Sequence, residues 1–333
     1  MNSADEFHYS VLLESVIEFS DPLKNISHPV LIDATLGAGG HAISFAQRFP
    51  DARIYAFDRD PDMIEKAQQR IVSERIFCRR IEVPSPEDSP GLYLLNRSFG
   101  QGAELFLNSG ISADFILMDL GVSIHHFRDL KRGFSYTDEI LDMRLSPDLP
   151  ETAADILKKK SEEELSSLFS ELGEEKFSGR IARSIKENLP ILSARHLAEV
   201  ILKAVPGKHY QSAAKIHPAT RVFQALRIHV NHELEELNKS LKLFPEILNP
   251  GGRLAVISFH SLEDRMVKLA FKSIGRKIQK KGSEKREKYK VNEKMPDFTI
   301  LTSTPVIPGT EEIKKNPPSR SAKLRVIEKK LRK

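Results

Sequence analysis

Four short apolar runs, "PVLID" closing on Asp33, "RIYAFD" on Asp58, "DFILMD" on Asp119 and "GRLAVISF" on Phe259, constrain the fold more than any other feature of the chain. Each is nearly continuously apolar rather than alternating, the pattern of a strand covered on both faces and so of a parallel α/β sheet. The first three stop on a carboxylate. Ligands of open α/β sheets bind outside the carboxyl ends of the strands, so three acids on that rim point to a ligand more strongly than to three unrelated helix caps.

The first run opens into "LIDATLGAGGHA", Leu31 to Ala42, where Gly37, Gly39 and Ala42 satisfy G-x-G-x-x-G/A. Bare backbone N–H groups at such a turn suit a pyrophosphate or a carboxylate equally. Asp58 follows by roughly 20 residues, the place of an acid that accepts two ribose hydroxyls. What separates the ligands is Asp33 and Asp119. A diphosphate beside them is repelled, whereas S-adenosylmethionine (SAM) brings an ammonium, a sulfonium and no phosphate.

With 333 residues and 40% hydrophobic content, the chain is long enough for one large domain or two modest ones. Its 51 Lys and Arg against 46 Asp and Glu give a net charge of +5, and the excess is clustered between Arg265 and Lys294, as expected where phosphate backbones are held or where a loop is simply solvated. The single cysteine, Cys78, rules out an intrachain disulfide framework or a cysteine zinc site, suits a reducing cytoplasm, and leaves no metal expected. Neither a signal peptide nor the roughly 18 apolar residues of a membrane span is present, so a cytoplasmic protein without membrane contact is expected.

Between Asp119 and the fourth run lies a helical stretch. "SEEE" from Ser161 reads as a capping box for a helix closed by Gly173, and Ser193 starts another helix through "ARHLAEVILKAV". The expected organisation is a discontinuous sheet domain, 1–123 and 216–333, interrupted by a helical insertion at 124–215. The core resumes at "HPATRVFQALRIHVNHELEELNKSL", where Phe223, Leu226, Val230, Leu234, Leu237 and Leu241 form one apolar stripe. "DFTILT" and "AKLRVIEK" read as a closing antiparallel pair, and "PSPEDSPG", Pro84 to Gly91, as a loop.

"HYSVLLESV", "DATLGAGGHA", "DRDP", "MDLGVS", "RGFSY", "LDMRL", "HPATRVFQALRIHVNHELEEL", "NPGGRLAVISFHSLEDR" and "NPPSRSAKLRVIE" occur in the order found in the MraW/RsmH family of ribosomal RNA small-subunit methyltransferases, which the chain resembles from His8 to about Glu328. The resemblance implies an α/β, Rossmann-like class I SAM-dependent methyltransferase whose helical insertion recognises RNA. It implies methylation of the exocyclic N4 of a cytosine in 16S rRNA, at the decoding centre near the P site. Carried over by motif, the cofactor residues are Gly39, Gly40 and His41 in the turn, Asp58 on the ribose, Phe99 near the adenine, and Asp119. The family pattern after "DLGVS" is Ser-Pro-Gln; here Ile124, His125 and His126 stand instead, so His126 takes the place of a cofactor-binding glutamine. "LDMRL" follows Glu139 and Ile140 rather than the usual Gly-Pro.

A cytosine amine is a poor nucleophile because its lone pair is delocalised into the ring, so an acceptor must localise it. Asp119 is the expected catalytic group, with His260 in "SFHS" as a second, either accepting a proton, contacting RNA or serving as a structural histidine. "NPPS", Asn316 to Ser319, invites comparison with the Asp/Asn-Pro-Pro-aromatic turn of amino-methyltransferases, or is a linker before the last strand. Arg132, Phe134 and Tyr136 combine cation and aromatic surface suited to RNA, with Arg221 and Arg227 either further RNA contacts or partners of an acid on their own helix. The expected partner is 16S rRNA in the small subunit, and a homodimer is compatible with the sequence. Two alternatives use the same features: an NAD-linked oxidoreductase, and a non-catalytic ribosome-assembly factor that binds RNA.

Overall fold

A computed structural model describes residues 10–128, 131–206, 217–277 and 297–331. It divides into two compact units, Met1–Gly121 with Glu236–Lys333, and Val122–Glu235. The chain returns to the sheet unit after Glu235 rather than after residue 215. The reason is packing: Phe223, Leu226 and Val230 fill the core of the helical unit, whereas Leu237 and Leu241 fill that of the sheet unit. The single apolar stripe is cut into two helices, Thr220–Val230 and Glu233–Leu243. At the break Asn231 is fully buried, its side chain donating to the Met143 carbonyl and accepting from the Leu145 N–H, and His232 takes a left-handed φ of 52°.

The sheet unit carries a nine-stranded sheet among the described residues: β1 Val30–Asp33, β2 Arg53–Asp58, β3 Cys78–Arg80, β4 Gly91–Asn96, β5 Ala113–Asp119, β6 Leu248–Ser258, β7 Gly275–Lys277, β8 Phe298–Ile300 and β9 Lys323–Lys329. Their order is β3-β4-β2-β1-β5-β6-β9-β8-β7. The strands from β4 to β6 are parallel, and β9 runs antiparallel to both β6 and β8, which confirms the closing antiparallel pair. Strand β4 follows directly on the Pro84–Gly91 loop and was not anticipated.

Alternate residues feed the two faces. Val30, Ile32, Tyr55 and Phe57 enter one core with the helices Phe99–Ser109 and Ser261–Ile274. Leu31, Ile54 and Ala56 enter the other with the helices Gly40–Arg48 and Pro61–Ser73. Each fully buried Leu, Ile or Phe contributes about 1.5–3 kcal/mol relative to exposure, so both faces hold the sheet. Going outward from β1, the chain winds to β2 on one side and to β5 on the other. That reversal leaves a crevice at the carboxyl ends of β1 and β5, the usual ligand position of a doubly wound sheet.

The helical unit has a separate core built from Leu165, Phe169, Ile181, Leu197 and Leu226 among others. Ser161 caps the helix Glu162–Gly173 through a capping box with Glu164, and Ser193 caps Ala194–Ala204. Gly173 stays helical instead of ending the helix, and Glu174 takes the left-handed position at φ 49°. A Cβ on Gly173 would lie 2.6 Å from the Arg221 carbonyl oxygen, so glycine is required there for close helix packing. No described helix is long and apolar enough to cross a membrane.

Candidate functional site

Five strands bring Asn96, Asp58, Asp33, Asp119 and Ser258 to one rim, since β4, β2, β1, β5 and β6 are neighbours in that order and all end there. Asp58 stands opposite Asn96, whose side-chain amide donates to the Asp58 carbonyl at 2.8 Å. Asp58 also shapes the glycine turn: its Oδ2 accepts from the Gly37 N–H at 2.9 Å and its Oδ1 from the Asp60 N–H at 2.9 Å. Gly37 and Gly39 have φ of 50° and 81°, in the left-handed region that favours glycine, and Gly39 caps the helix Gly40–Arg48. The Arg70 guanidinium donates to the Ala38 carbonyl and fastens the turn from the next helix.

Gly40 serves a close approach. A Cβ there would lie 2.1 Å from Ser10 Oγ, so the N-terminal segment seats directly on the turn. Next in sequence, His41 is buried, with Nε2 3.1 Å from the Val11 carbonyl oxygen and Nδ1 3.7 Å from Asp119 Oδ2. A carbonyl only accepts, so Nε2 carries its proton. Leu12, in turn, donates its N–H to Glu312 at 2.7 Å.

Asp33 and Asp119 face the crevice. Thr35 holds both, donating its N–H to Asp33 Oδ1 at 3.2 Å and accepting the Asp119 N–H on Oγ1 at 2.6 Å. Sequence reading overlooked Thr35, although a hydroxyl residue two positions after a strand-end acid is a recognisable turn signal. Burial, reinforced by the Asp58 charge, pushes the Asp33 carboxyl up to about 7. Burial, then the charges of Asp33 and Glu263, hold Asp119 well above the usual carboxylate range. One oxygen of each, Asp33 Oδ2 and Asp119 Oδ1, is buried with no hydrogen-bond partner among the described residues. Two acids arranged this way repel an anion and fit a cation.

Phe99 opens the helix Phe99–Ser109, just beyond β4, and is only partly buried. Ser98 caps that helix in a box with Gln101, and Glu236 accepts from Ser98 Oγ at 2.6 Å and from the Gly100 N–H at 3.0 Å. His260 caps the helix Ser261–Ile274, its ring accepting from the Glu263 N–H, while Nε2 lies 3.1 Å from Glu263 Oε1. Glu263 also accepts from the Phe259 N–H at 2.8 Å. Nδ1 thus caps the helix, whereas Nε2 is buried and makes no hydrogen bond among the described residues. The "NPPS" turn leads into β9, whose first residue pairs with Ser258, so it reaches the same rim. Its Ser319 is buried and donates from Oγ to the Asn316 carbonyl, and no aromatic follows it.

The remaining expected residues belong to the helical unit. His126 is buried there, its Nδ1 3.2 Å from the Ser123 carbonyl and its ring centroid 5.4 Å from that of Phe134. Phe134 is 4% exposed, which corrects its expected role as a stacking surface for RNA: it fills the core. Tyr136 is likewise engaged, stacked on His217, edge-on to Phe223, and hydrogen-bonded to Thr220 at 2.8 Å. Arg227 forms a two-point pair with Glu233 at 2.8 Å, and Arg132 donates to the Arg144 carbonyl. Among the described residues, Arg221 donates through one nitrogen to the Glu174 carbonyl at 3.2 Å. Most of the basic run lies outside the described residues, including the span Ile278 to Lys290.

A doubly wound sheet with a glycine turn, an acid ending the second strand and two buried carboxylates at the switch point has the form of a nucleoside-cofactor enzyme of the methyltransferase class. The chain belongs to the MraW methylase family, whose model matches residues 5–330, and is a SAM-dependent methyltransferase. It is 40% identical over 329 residues to the ribosomal RNA small subunit methyltransferase H of Treponema denticola, covering 97% of each chain. Its identity to the protein of the same name from Desulforapulum autotrophicum is 42% over 305 residues, covering 89% of this chain and 91% of that one.

Proposed function

We propose that this protein methylates the exocyclic N4 of a cytosine in the 16S rRNA of the small ribosomal subunit, in the cytoplasm. The relatives are named for small-subunit rRNA, and the observation that carries the chemistry is the pair Asp33 and Asp119, each with a buried oxygen lacking a partner at the switch point. Bound SAM supplies a methyl group on a sulfonium, an electrophile that needs no metal or redox partner.

The chain's own residues then have distinct tasks. The Gly40 N–H would hold the carboxylate end of the cofactor beside Gly39, whose own N–H closes the turn on the Leu36 carbonyl, His41 and Thr35 fix the rim beside it, Asp58 would accept the ribose hydroxyls and Phe99 would cover the adenine. Asp33 balances positive charge. Asp119 accepts a hydrogen bond from the cytosine amine, which draws the lone pair out of conjugation, and takes up the proton that the amine loses on methylation. Burial raises the proton affinity of this carboxyl above that of an exposed one, which makes its carboxylate the stronger base. His260 supports the site through the start of the helix Ser261–Ile274. The helical unit supplies RNA contacts, with Arg221 the side chain best placed for them.

Calorimetry with SAM and with NAD tests the cofactor choice. SAM binding without NAD binding is expected, and NAD binding without SAM binding overturns the reading.

A further inference from the structure

Away from the rim, the helix Ser261–Ile274 and the segment from β8 to Pro305 enclose an open cleft of about 290 Å³ on the sheet unit, lined by Lys268, Lys272, Arg325, Thr302, Ser303 and Thr304 beside a few apolar side chains. No carboxylate lines it. Lys268 and Lys272 are one helical turn apart and so share a face, and neither has an acidic partner among the described residues. Arg325 is 8% exposed, with Nε bound to Asp264 Oδ1 at 2.7 Å. That single pair orients the guanidinium and leaves its terminal nitrogens without a partner among the described residues. Thr302 is also buried, and its Oγ1 accepts from the Val326 N–H at 2.9 Å, which leaves its own O–H to donate. Three cations and three hydroxyls thus converge on one concavity with a nearly buried, pre-oriented arginine at its wall.

We propose that this cleft binds a phosphodiester group of the substrate RNA, at a nucleotide away from the methylated one; the inference rests on the rRNA reading above. Asp264 balances the arginine, and the two lysines add positive charge to the cleft that no carboxylate among the described lining residues offsets. The location suits a nucleotide beyond the methylated one. Arg325 stands opposite Val256 on β6 and Asp119 opposite Ile257 on the other side of β6, so their backbones are two strand spacings apart, about 10 Å, while their side chains leave opposite faces of the sheet. The chain also runs from this helix directly into the basic stretch that ends at Lys294.

The test uses full-length protein and the double variant Lys268→Gln with Lys272→Gln, both on an exposed helix face. Binding to unmethylated small subunits is measured over a range of salt concentrations, alongside methyl transfer, SAM binding and inorganic pyrophosphate binding. The cleft predicts roughly tenfold weaker subunit binding at about 0.1 M salt and a log–log salt slope shallower by about 1 to 2. SAM affinity and the maximal rate stay unchanged while KM for the subunit rises. An unchanged salt slope and KM overturn the proposal, as does loss of pyrophosphate binding alone, which makes the cleft a site for small anions. Wild-type protein that methylates no subunit overturns the rRNA reading instead, and is recognised in the same assay.

Discussion

Asp33 and Asp119 end adjacent parallel strands, and the hydroxyl and amide of one residue, Thr35, hold them together at the crevice. Burial raises the proton affinity of both carboxyls, and neighbouring charge adds to it, that of Asp58 at Asp33 and those of Asp33 and Glu263 at Asp119. The arrangement is costly in the free protein and is relieved by a cation. The folding cost and the ligand preference therefore share one origin.

The first consequence concerns pH. Asp33 rises from about 4 unfolded to about 7 folded, so the folded state binds the extra proton between those values. Its stabilising contribution is fully present below about pH 4 and is lost as pH rises through about 7, on the order of 4 kcal/mol in total. Denaturation at pH 5 to 8 in the absence of SAM should show wild-type stability falling more steeply than that of Asp33→Asn. The amide oxygen keeps the Thr35 bond in that variant. SAM affinity, favoured by the ionised acid, should fall about tenfold from pH 8 to pH 6 in the wild type, and flat affinity would show that Asp33 does not face the cofactor.

Gly39 and Gly40 should respond differently to alanine. At Gly39 the φ of 81° is strained for any side chain, at about 1–2 kcal/mol, and distorts the turn itself. At Gly40 the conflict is with Ser10 Oγ, a single atom that rotates away, so the cost is smaller and Ser10→Gly relieves it. SAM titrations of Gly39→Ala, Gly40→Ala and the Gly40→Ala/Ser10→Gly pair check this order. Rescue of Gly39→Ala by the Ser10 change would contradict it.

His260 was expected as a catalytic group, and its Nδ1 caps the start of the helix Ser261–Ile274. Asparagine is a good cap and alanine is not. His260→Asn should retain stability within about 0.5 kcal/mol and turnover within a few fold, while His260→Ala loses about 1–2 kcal/mol. Stability retained with turnover lost in His260→Asn would restore the histidine to the chemistry.

Legibility in the sequence followed the physical strength of each signal. Strands β1, β2, β5 and β6 are buried on both faces, so continuous apolar runs announced them, and the terminal acids of the first three announced the rim. Strand β4 has the same character in "GLYLLN", but the Pro- and Ser-rich loop before it dominates the local pattern. β3 and β7 have three residues each, too few for any periodicity. The helix break at Asn231 was hidden because its cause is tertiary: a buried amide bound to a segment more than eighty residues away. Phe134 misled for a related reason. An aromatic beside arginine reads as a stacking surface in sequence, whereas the helical unit needs it to complete a core. Composition can show which residues bind RNA well, but not which of them face solvent.

The central claim is tested most directly by incubating the purified protein with methyl-labelled SAM and small subunits from cells lacking the gene, then digesting the 16S rRNA and resolving its nucleosides by mass spectrometry. The account predicts label in N4-methylcytidine with wild-type protein and at least a hundredfold slower labelling with Asp119→Asn. Label in another nucleoside, no label at all, or full activity in Asp119→Asn would contradict it.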